Sequence, residues 1–183
     1  LQGFEGKIVF EIIQSDEYII AAKKYFDDLL CFNGGVHDKD IELALLEVHD
    51  YRTIVEWNKE KDADFLYQWA GPGYEFPITE AKIAQRITNG ANSKGADTNI
   101  YKIVSISTNE MIGTIELFRI NREKNTATIG RFLINEKFRG MGLGKHALKI
   151  LVDKGFKKFG LEELSLRVFD FNEGAIKCYE KVG

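Results

Sequence analysis

"FRGMGLGKHAL", residues 138–148, is the most informative segment of this sequence. It carries glycines at alternate positions, behind an arginine and in front of apolar residues with helical spacing. Backbone N–H groups with no side chain in front of them, at the positive end of a helix, can wrap a pyrophosphate without a metal ion. The stretch therefore predicts a phosphate-binding loop, and a glycine-rich turn that only links two elements stays open as the alternative.

Two other phosphate-binding patterns fail on spacing. A P-loop would need glycine and then serine or threonine at the positions that Arg139 and His146 occupy. The dinucleotide fingerprint would need glycine at position 145 or 147, where lysine and alanine stand. What remains is Arg-x-x-Gly-x-Gly, formed by Arg139, Gly142 and Gly144.

Strands and helices are predicted on both sides of this loop. Residues 111–120 and 126–134 are rich in β-branched and apolar residues, and the polar stretch between them predicts an antiparallel pair. After the loop, a helix is predicted to end at Gly160, followed by a strand at 164–170 and a short helix that Asn172 begins. The order is strand, strand, loop, helix, strand, helix.

The upstream half predicts a lid over this sheet. We expect a strand at 51–57, helices at 60–70 and 79–87, and a strand at 98–107. The first 48 residues contain "KIVFEII", which could be a strand, then an amphipathic helical segment and a third apolar segment. No role is assigned to them.

Composition excludes several classes of protein. The chain has 183 residues and a formal net charge of -3, which offers no footprint for nucleic acid. Cys31 and Cys178 are too few for a disulfide scaffold, and Cys178 has the spacing of a packing residue rather than of a nucleophile. No membrane span or signal peptide is recognisable, so we expect a cytoplasmic protein with no membrane partner.

The loop together with "NEGAIKCYEKVG", residues 172–183, resembles the GNAT superfamily of acyl-CoA-dependent N-acyltransferases. Within it, the chain is most similar to the ribosomal-protein alanine and spermidine acetyltransferases. The resemblance implies an α/β (α+β) fold with a mixed, mostly antiparallel central sheet flanked by helices. It implies a GNAT domain over 49–183, with 1–48 as an N-terminal extension.

The resemblance also implies the cofactor site, with acetyl-CoA as co-substrate and no metal. A strand end would pair its backbone with the pantetheine arm, the loop would hold the pyrophosphate, and an asparagine would lie near the pantetheine. These residues are Phe132, Leu133 and Ile134 in the strand, Arg139, Gly140, Met141, Gly142, Leu143, Gly144 and Lys145 in the loop, and Asn172.

The implied reaction is direct attack of a primary amine on the thioester in a ternary complex. Tyr179 matches the tyrosine that donates a proton to the leaving thiolate. A backbone N–H near 132–134 could stabilise the oxyanion. Family members often carry a glutamate where Thr128 stands, so Glu116 on the neighbouring strand is the best carboxylate candidate for a base, with a structural glutamate and a water path as alternatives.

Several alternatives stay open. Family members continue beyond the position of Gly183 into a last strand, so either the chain is shortened or another segment, for which "KIVFEII" is a candidate, fills that edge. A second subunit could also cover it, giving a homodimer. The acceptor is a small-molecule amine or a protein N-terminal amine. A non-catalytic acyl-CoA-binding or regulatory module is the alternative to an enzyme.

Overall fold

The computed structural model describes residues 7–13 and 40–169. Six strands and four α-helices of these residues form an α/β unit. In chain order they are β1 Lys7–Ile13, β2 Ile41–Leu45, α1 Tyr51–Asn58, α2 Ala63–Ala70, α3 Glu80–Thr88, β3 Asn99–Ser105, β4 Met111–Asn121, β5 Thr126–Ile134, α4 Leu143–Phe159 and β6 Glu163–Phe169. Within the described ranges, none of the helices combines the length and apolarity that crossing a bilayer requires.

All six strands belong to one sheet, in the order β1-β6-β5-β4-β3-β2. Strands β2 to β5 form an antiparallel meander, whereas β5, β6 and β1 run parallel to one another. The parallel connection from β5 to β6 passes through α4, which must therefore cover one face of the sheet. This mixed, mostly antiparallel sheet flanked by helices is the fold that the sequence predicts.

A separate apolar core lies on each face of the sheet. Helix α4 buries Leu148 and Leu151 against side chains such as Ile103 and Ile129 of the sheet. On the other face, α1, α2 and α3 bury residues that include Ile54, Leu66 and Ile83. The two cores hold the sheet between α4 on one face and the layer of α1, α2 and α3 on the other, so that β5 is packed on both faces.

The prediction of a strand at 51–57 is wrong, because these residues form α1. Tyr51, Ile54 and Asn58 are buried at helical spacing on one face of it. The turn before α1 is closed by a capping box, in which the Asp50 carboxylate accepts a hydrogen bond of 2.8 Å from the Glu47 backbone N–H. Packing of this face therefore overrides the strand preference of a segment rich in β-branched residues.

The other predicted elements between 60 and 169 are confirmed, with ends that differ by at most three residues. The prediction that "KIVFEII" is a strand is also confirmed: β1 pairs in parallel with β6, from Lys7 opposite Glu163 to Ile13 opposite Phe169. Strands β1 and β2, both drawn from the first 48 residues, thus occupy the two outer positions of the sheet. The helices predicted within 14–39 and from Asn172 lie outside the described residues.

Candidate active site

Strand β5 separates from β6 halfway along its length. The two strands pair only from Thr126 opposite Glu163 to Ile129 opposite Leu166, although both continue beyond these positions. Splayed parallel strands leave an opening between them, with backbone N–H and C=O groups along its edges. One wall of this opening is Gly130–Ile134, which includes Phe132, Leu133 and Ile134 of the predicted pantetheine site.

A β-bulge lies at the point where the strands separate. Glu116 and Thr114 of β4 pair with Gly130 and Leu133, so that β5 carries one extra residue between them. Arg131 absorbs it with a φ of 46°, a left-handed conformation that is unusual for a residue with a side chain. Bulges of this kind redirect backbone groups, and this one redirects them at the floor of the opening.

The glycine loop has the backbone that the sequence predicts. Gly140 and Gly142 have φ values of 73° and 77°, which residues with side chains rarely adopt. Gly142 is the N-cap of α4 and supplies no side-chain cap. The first N–H groups of a helix have no partner within the helix, so those of Leu143, Gly144 and Lys145 are oriented for an anion.

Arg139 anchors the loop to the end of β5. Its Nε donates a hydrogen bond of 3.0 Å to the Ile134 carbonyl, and its guanidinium lies 3.8 Å from Glu136, which also binds Lys61 at 2.6 Å. The pairing with Lys61 lowers the pKa of Glu136 below its ordinary value. Arg139 therefore holds the loop against the strand that leads into it.

Glu116 lies in a buried ion cluster with two arginines. Its carboxylate is 1% exposed. Both terminal nitrogens of Arg86 donate to it, at 2.6 and 2.8 Å, and Arg131 donates to the second oxygen at 2.9 Å. The bidentate pair ties α3 to the sheet, and the second arginine ties Glu116 to the bulge. Each carboxylate oxygen thus has a charged donor, and proton transfer to Glu116 would have to displace one of them.

Aromatic rings and burial complete this ion cluster. The Arg86 guanidinium lies 4.7 Å from the Tyr74 ring centre, and that of Arg131 lies 4.3 Å from the Phe118 ring centre. Burial and then the charge of Glu116 raise the pKa of Tyr74 far above its ordinary value. Burial alone would lower the pKa of Arg86, but its pairing with Glu116 outweighs that and raises it. Arg86 is therefore charged, with Tyr74 neutral beside it.

A cavity of about 320 Å³ lies between α2 and the site of strand separation. It is referred to below as the bulge cavity. Its walls come from Trp69 and Pro72 on one side and from Thr128, Gly130 and Arg131 on the other. Arg119 and Arg167 also line it, and no carboxylate does so within the described part of the chain. The Thr128 hydroxyl lies 2.9 Å from that of Ser165, which closes the cavity floor where β5 and β6 still pair.

The structure brings the predicted loop and strand residues together but describes only part of the predicted site. Tyr179 and Asn172 lie outside the described residues. His146, which directly follows the predicted loop, is buried within α4. Arg86 and Arg131 were not predicted, because their partner Glu116 is 30 and 15 residues away and only the folded sheet brings them together.

A cluster of possible metal ligands lies at Glu47, His49 and Asp50, before α1. Lys102 occupies it, with its ammonium 2.9 Å from Glu47 and 3.0 Å from Asp50. These ion pairs lower the pKa of Glu47 and raise that of Lys102, against the effect of partial burial on the lysine. Because the Lys102 ammonium already binds both carboxylates, this cluster is an ion-pair network rather than a cation site.

Comparison with known proteins is consistent with this geometry. The chain matches the model of the acetyltransferase (GNAT) family over residues 51–183. It is 33% identical over 147 residues to the probable N-acetyltransferase YjcK of Bacillus subtilis, covering 79% of this chain and 80% of that protein. It is 36% identical over 143 residues to the spermidine N(1)-acetyltransferase of Escherichia coli K12, covering 78% and 72%.

Solved structures share the fold. A spermidine N-acetyltransferase from Vibrio cholerae, crystallised with CoA and spermine, superposes with a TM-score of 0.67 at 21% identity and covers 79% of this chain and 80% of that one. A dodecameric structure of spermidine N-acetyltransferase from the same organism has a TM-score of 0.61 at 22% identity, covering 79% and 78%.

Proposed function

Because the chain belongs to the acetyltransferase (GNAT) family and transfers an acetyl group from acetyl-CoA to an amine, we propose that the opening between β5 and β6 is where this reaction occurs. The observation that carries the proposal is the alignment of three features along β5. Within 15 residues, from 130 to 144, the chain separates from β6, forms the bulge at Arg131 and continues into the loop that follows Ile134. Their order along the chain corresponds to the order of the thioester, the pantetheine arm and the pyrophosphate in one extended acyl-CoA molecule.

In this proposal the chain holds acetyl-CoA through its backbone. The pantetheine amides pair with the free edge of Phe132–Ile134, in the manner of an added strand. The pyrophosphate accepts hydrogen bonds from the N–H groups between Gly140 and Lys145. Asn172 is the further predicted contact to the pantetheine. No metal ion is needed, because the helix terminus supplies the positive potential.

The same bulge supports a role in the chemistry. An amine with an ordinary pKa of about 10.4 is protonated at neutral pH and must lose a proton before it attacks. Attack places negative charge on the thioester oxygen, and we propose that a backbone N–H of the redirected 131–134 segment stabilises it. Tyr179 is proposed to protonate the departing thiolate.

We propose that Glu116 acts as a positioning residue rather than as the base. Its charge is committed to Arg86 and Arg131, and through Arg131 it holds the bulge in its left-handed conformation. The proton of the amine would then leave through water in the bulge cavity. The sequence left open two alternatives to a general base at this position, a structural glutamate and a water path, and this assignment combines them.

The acceptor is proposed to enter through the bulge cavity. Its described walls carry Arg119, Arg167 and Arg131, the last already paired with Glu116, and no carboxylate that could bind the further ammonium groups of a polyamine. This lining favours an amine whose neighbouring groups are neutral or acidic, such as a peptide with a free N-terminus. A polyamine is the second candidate, because the E. coli relative is named a spermidine acetyltransferase. The two differ in charge: a polyamine brings further cations toward these arginines, whereas a peptide brings carbonyl oxygens.

The test is release of CoA thiol from acetyl-CoA with spermidine, spermine and short peptides that differ in N-terminal residue and in acidic content. We expect turnover with at least one amine and a large loss of kcat in Tyr179→Phe. A peptide preference would support the role of the arginines, and a polyamine preference would contradict it.

A binding module would give a different pattern. Acetyl-CoA would bind, but no amine in the panel would release thiol above the rate of buffer. Direct attack predicts that double-reciprocal plots of rate against acetyl-CoA concentration, measured at several fixed amine concentrations, intersect. A covalent acyl-enzyme would give parallel lines in the same plots.

A further inference from the structure

We propose that a second cavity, on the α4 face of the sheet, binds a small phosphate-bearing anion of nucleotide size. This cavity, called the cationic cavity below, has a volume of about 680 Å³, which lies within the range of small-molecule sites. It opens between the C-terminal third of α4, the strands β2 and β3, and the segments that precede β3 and follow β4. Neither acetyl transfer nor the acyl-CoA loop uses it.

Four basic side chains line the cationic cavity. Lys154 and Lys158 come from one face of α4, Lys94 from the segment before β3, and Arg122 from the turn after β4. The lining contains no aspartate or glutamate among the residues that the structure describes. A chain of net charge -3 thus gathers four basic side chains at one place with no acidic residue among the described lining, which favours an anionic ligand.

Lys154 and Lys158 are four residues apart on one helix, where like charges repel. The Lys154 ammonium is half-buried and lies 5.0 Å from the centre of the Tyr101 ring. Burial of this ammonium and its proximity to Lys158 lower the pKa of Lys154 below its ordinary value. Lys157, by contrast, lies on the exposed face of α4 and pairs with Asp153 at 3.3 Å. Lys154 and Lys158, unlike Lys157, therefore have no acidic partner within the described ranges, although Lys158 is also exposed.

Asn99 adds a polar group that points to a ligand. It lines the cationic cavity, is 8% exposed, and makes no side-chain hydrogen bond within the described ranges. Its amide nitrogen and oxygen are reached by solvent, so a ligand with donors and acceptors can bind them. An inorganic ion would be bound by the basic side chains alone, so the amide favours a ligand with further polar groups.

The remaining walls are apolar. Leu43 and Phe159 line the cavity, and Leu45 at its rim is 41% exposed. An apolar wall, one unpartnered amide and a group of cations together match a ligand with a flat organic part and a charged phosphate part. A nucleotide has this chemistry: the amide can bind the edge of its base, and the cations its phosphates.

This site is separate from the glycine loop. Lys154 lies 11 positions after Leu143, the first residue of α4, which corresponds to an axial rise of about 16 Å. The two ends of α4 would therefore hold two different phosphate groups, and a second ligand can be measured while CoA occupies the first.

The experiment is calorimetric titration of the full chain with ATP in the presence of saturating CoA. We expect ATP to bind, and the double variant Lys154→Met and Lys158→Met to weaken it at least about tenfold, since hydrogen bonds to charged groups contribute strongly. Lys157→Met is the matched control on the exposed face of the same helix and should leave the dissociation constant of ATP unchanged. The thermal midpoint of each variant without ATP verifies that it folds.

Titration with inorganic tripolyphosphate separates the two parts of the ligand. Asn99→Leu should weaken ATP but not tripolyphosphate, if the amide binds the base. No ATP binding once CoA is saturating would overturn the proposal, as would an equal dissociation constant in the double variant and in Lys157→Met. An equal loss of ATP and tripolyphosphate in Asn99→Leu would overturn the assignment of a nucleotide.

Discussion

Gly142 and Gly160 stand at opposite ends of α4 with similar left-handed backbones, at φ values of 77° and 66°. An alanine at either position costs about 1 kcal/mol of stability, because a Cβ is unfavourable in this conformation. Only Gly142→Ala also disturbs the N–H groups proposed for the pyrophosphate. We expect the KM for acetyl-CoA to rise about tenfold in this variant, as weakened hydrogen bonds to a charged group predict.

Gly160→Ala is the control for this prediction. Its Cβ would meet no atom within 4 Å, so that the variant changes only the backbone preference at the end of α4. Steady-state kinetics and urea unfolding of both variants distinguish the two effects. Similar losses of stability with equal KM values for acetyl-CoA would mean that the loop does not hold the cofactor.

Glu116 gives a second prediction at the scale of the residue. Glu116→Gln keeps the shape of the side chain but removes the charge that balances Arg86 and Arg131. Leaving a buried charge uncompensated lowers the free energy of unfolding by about 3 kcal/mol. Because we assign a positioning role, kcat should fall while the pH profile of kcat/KM keeps its shape.

Glu123→Gln, in the exposed turn after β4, is the matched control and should change neither stability nor kinetics. Loss of the acidic limb of the pH profile in Glu116→Gln, with no such loss in the control, would instead identify Glu116 as the base.

The sequence identified single residues better than it identified their partners. Glu116 was recognisable as a carboxylate on a strand near the loop, and the glycines were recognisable by their spacing. The arginines that hold Glu116 come from α3 and from the bulge, and nothing in their local sequence marks them as its partners. Long-range pairing is set by the register of β4 against β5, which a local pattern does not contain.

Among the elements, α1 shows where local preference fails. The segment "YRTIVEW" combines β-branched and aromatic residues, which favour a strand. Its helical conformation is stabilised from outside, by the burial of one face in the core that α1 shares with α2 and α3. Asn58 at the end of α1 donates a hydrogen bond of 2.7 Å to the Ile54 carbonyl. It accepts one of 3.1 Å from the indole N–H of Trp69 in α2.

We therefore predict that Asn58→Ala destabilises the packing of α1 on α2. The variant leaves the Trp69 N–H and the Ile54 carbonyl buried with one partner fewer each, which costs about 2 kcal/mol in urea unfolding. Lys59→Ala, one residue later and paired only at the surface with Glu56, should change stability by less than about 0.5 kcal/mol. Equal changes in the free energy of unfolding for the two substitutions would show that the hydrogen bonds of Asn58 to Ile54 and Trp69 contribute nothing to stability.

At the scale of the whole molecule, much of the architecture followed from the sequence. The order of strands and helices from 60 to 169 and the position of the loop were predictable, because glycine punctuation and apolar periodicity are local signals. The filling of a sheet edge by "KIVFEII" could only be suggested, and its parallel pairing with β6 was not predicted, since the neighbour of a strand distant in sequence is set by the whole sheet. The separation of β5 from β6, on which the proposed site depends, has no local signal at all.

The sheet and its two cores lead to a last prediction for the whole chain. A ligand that binds only the folded state stabilises it, by about 2.7 kcal/mol at a hundred times its dissociation constant. For a chain of 183 residues, this corresponds to a rise in thermal midpoint of about 5 to 10 °C with acetyl-CoA. Pantetheine lacks the pyrophosphate and should give a much smaller rise at the same concentration. Because the proposed loop contributes to acyl-CoA binding, Gly142→Ala should reduce the acetyl-CoA rise while Gly160→Ala retains it. An equal rise for pantetheine and acetyl-CoA would place the binding energy on β5 alone and remove the role of the glycine loop.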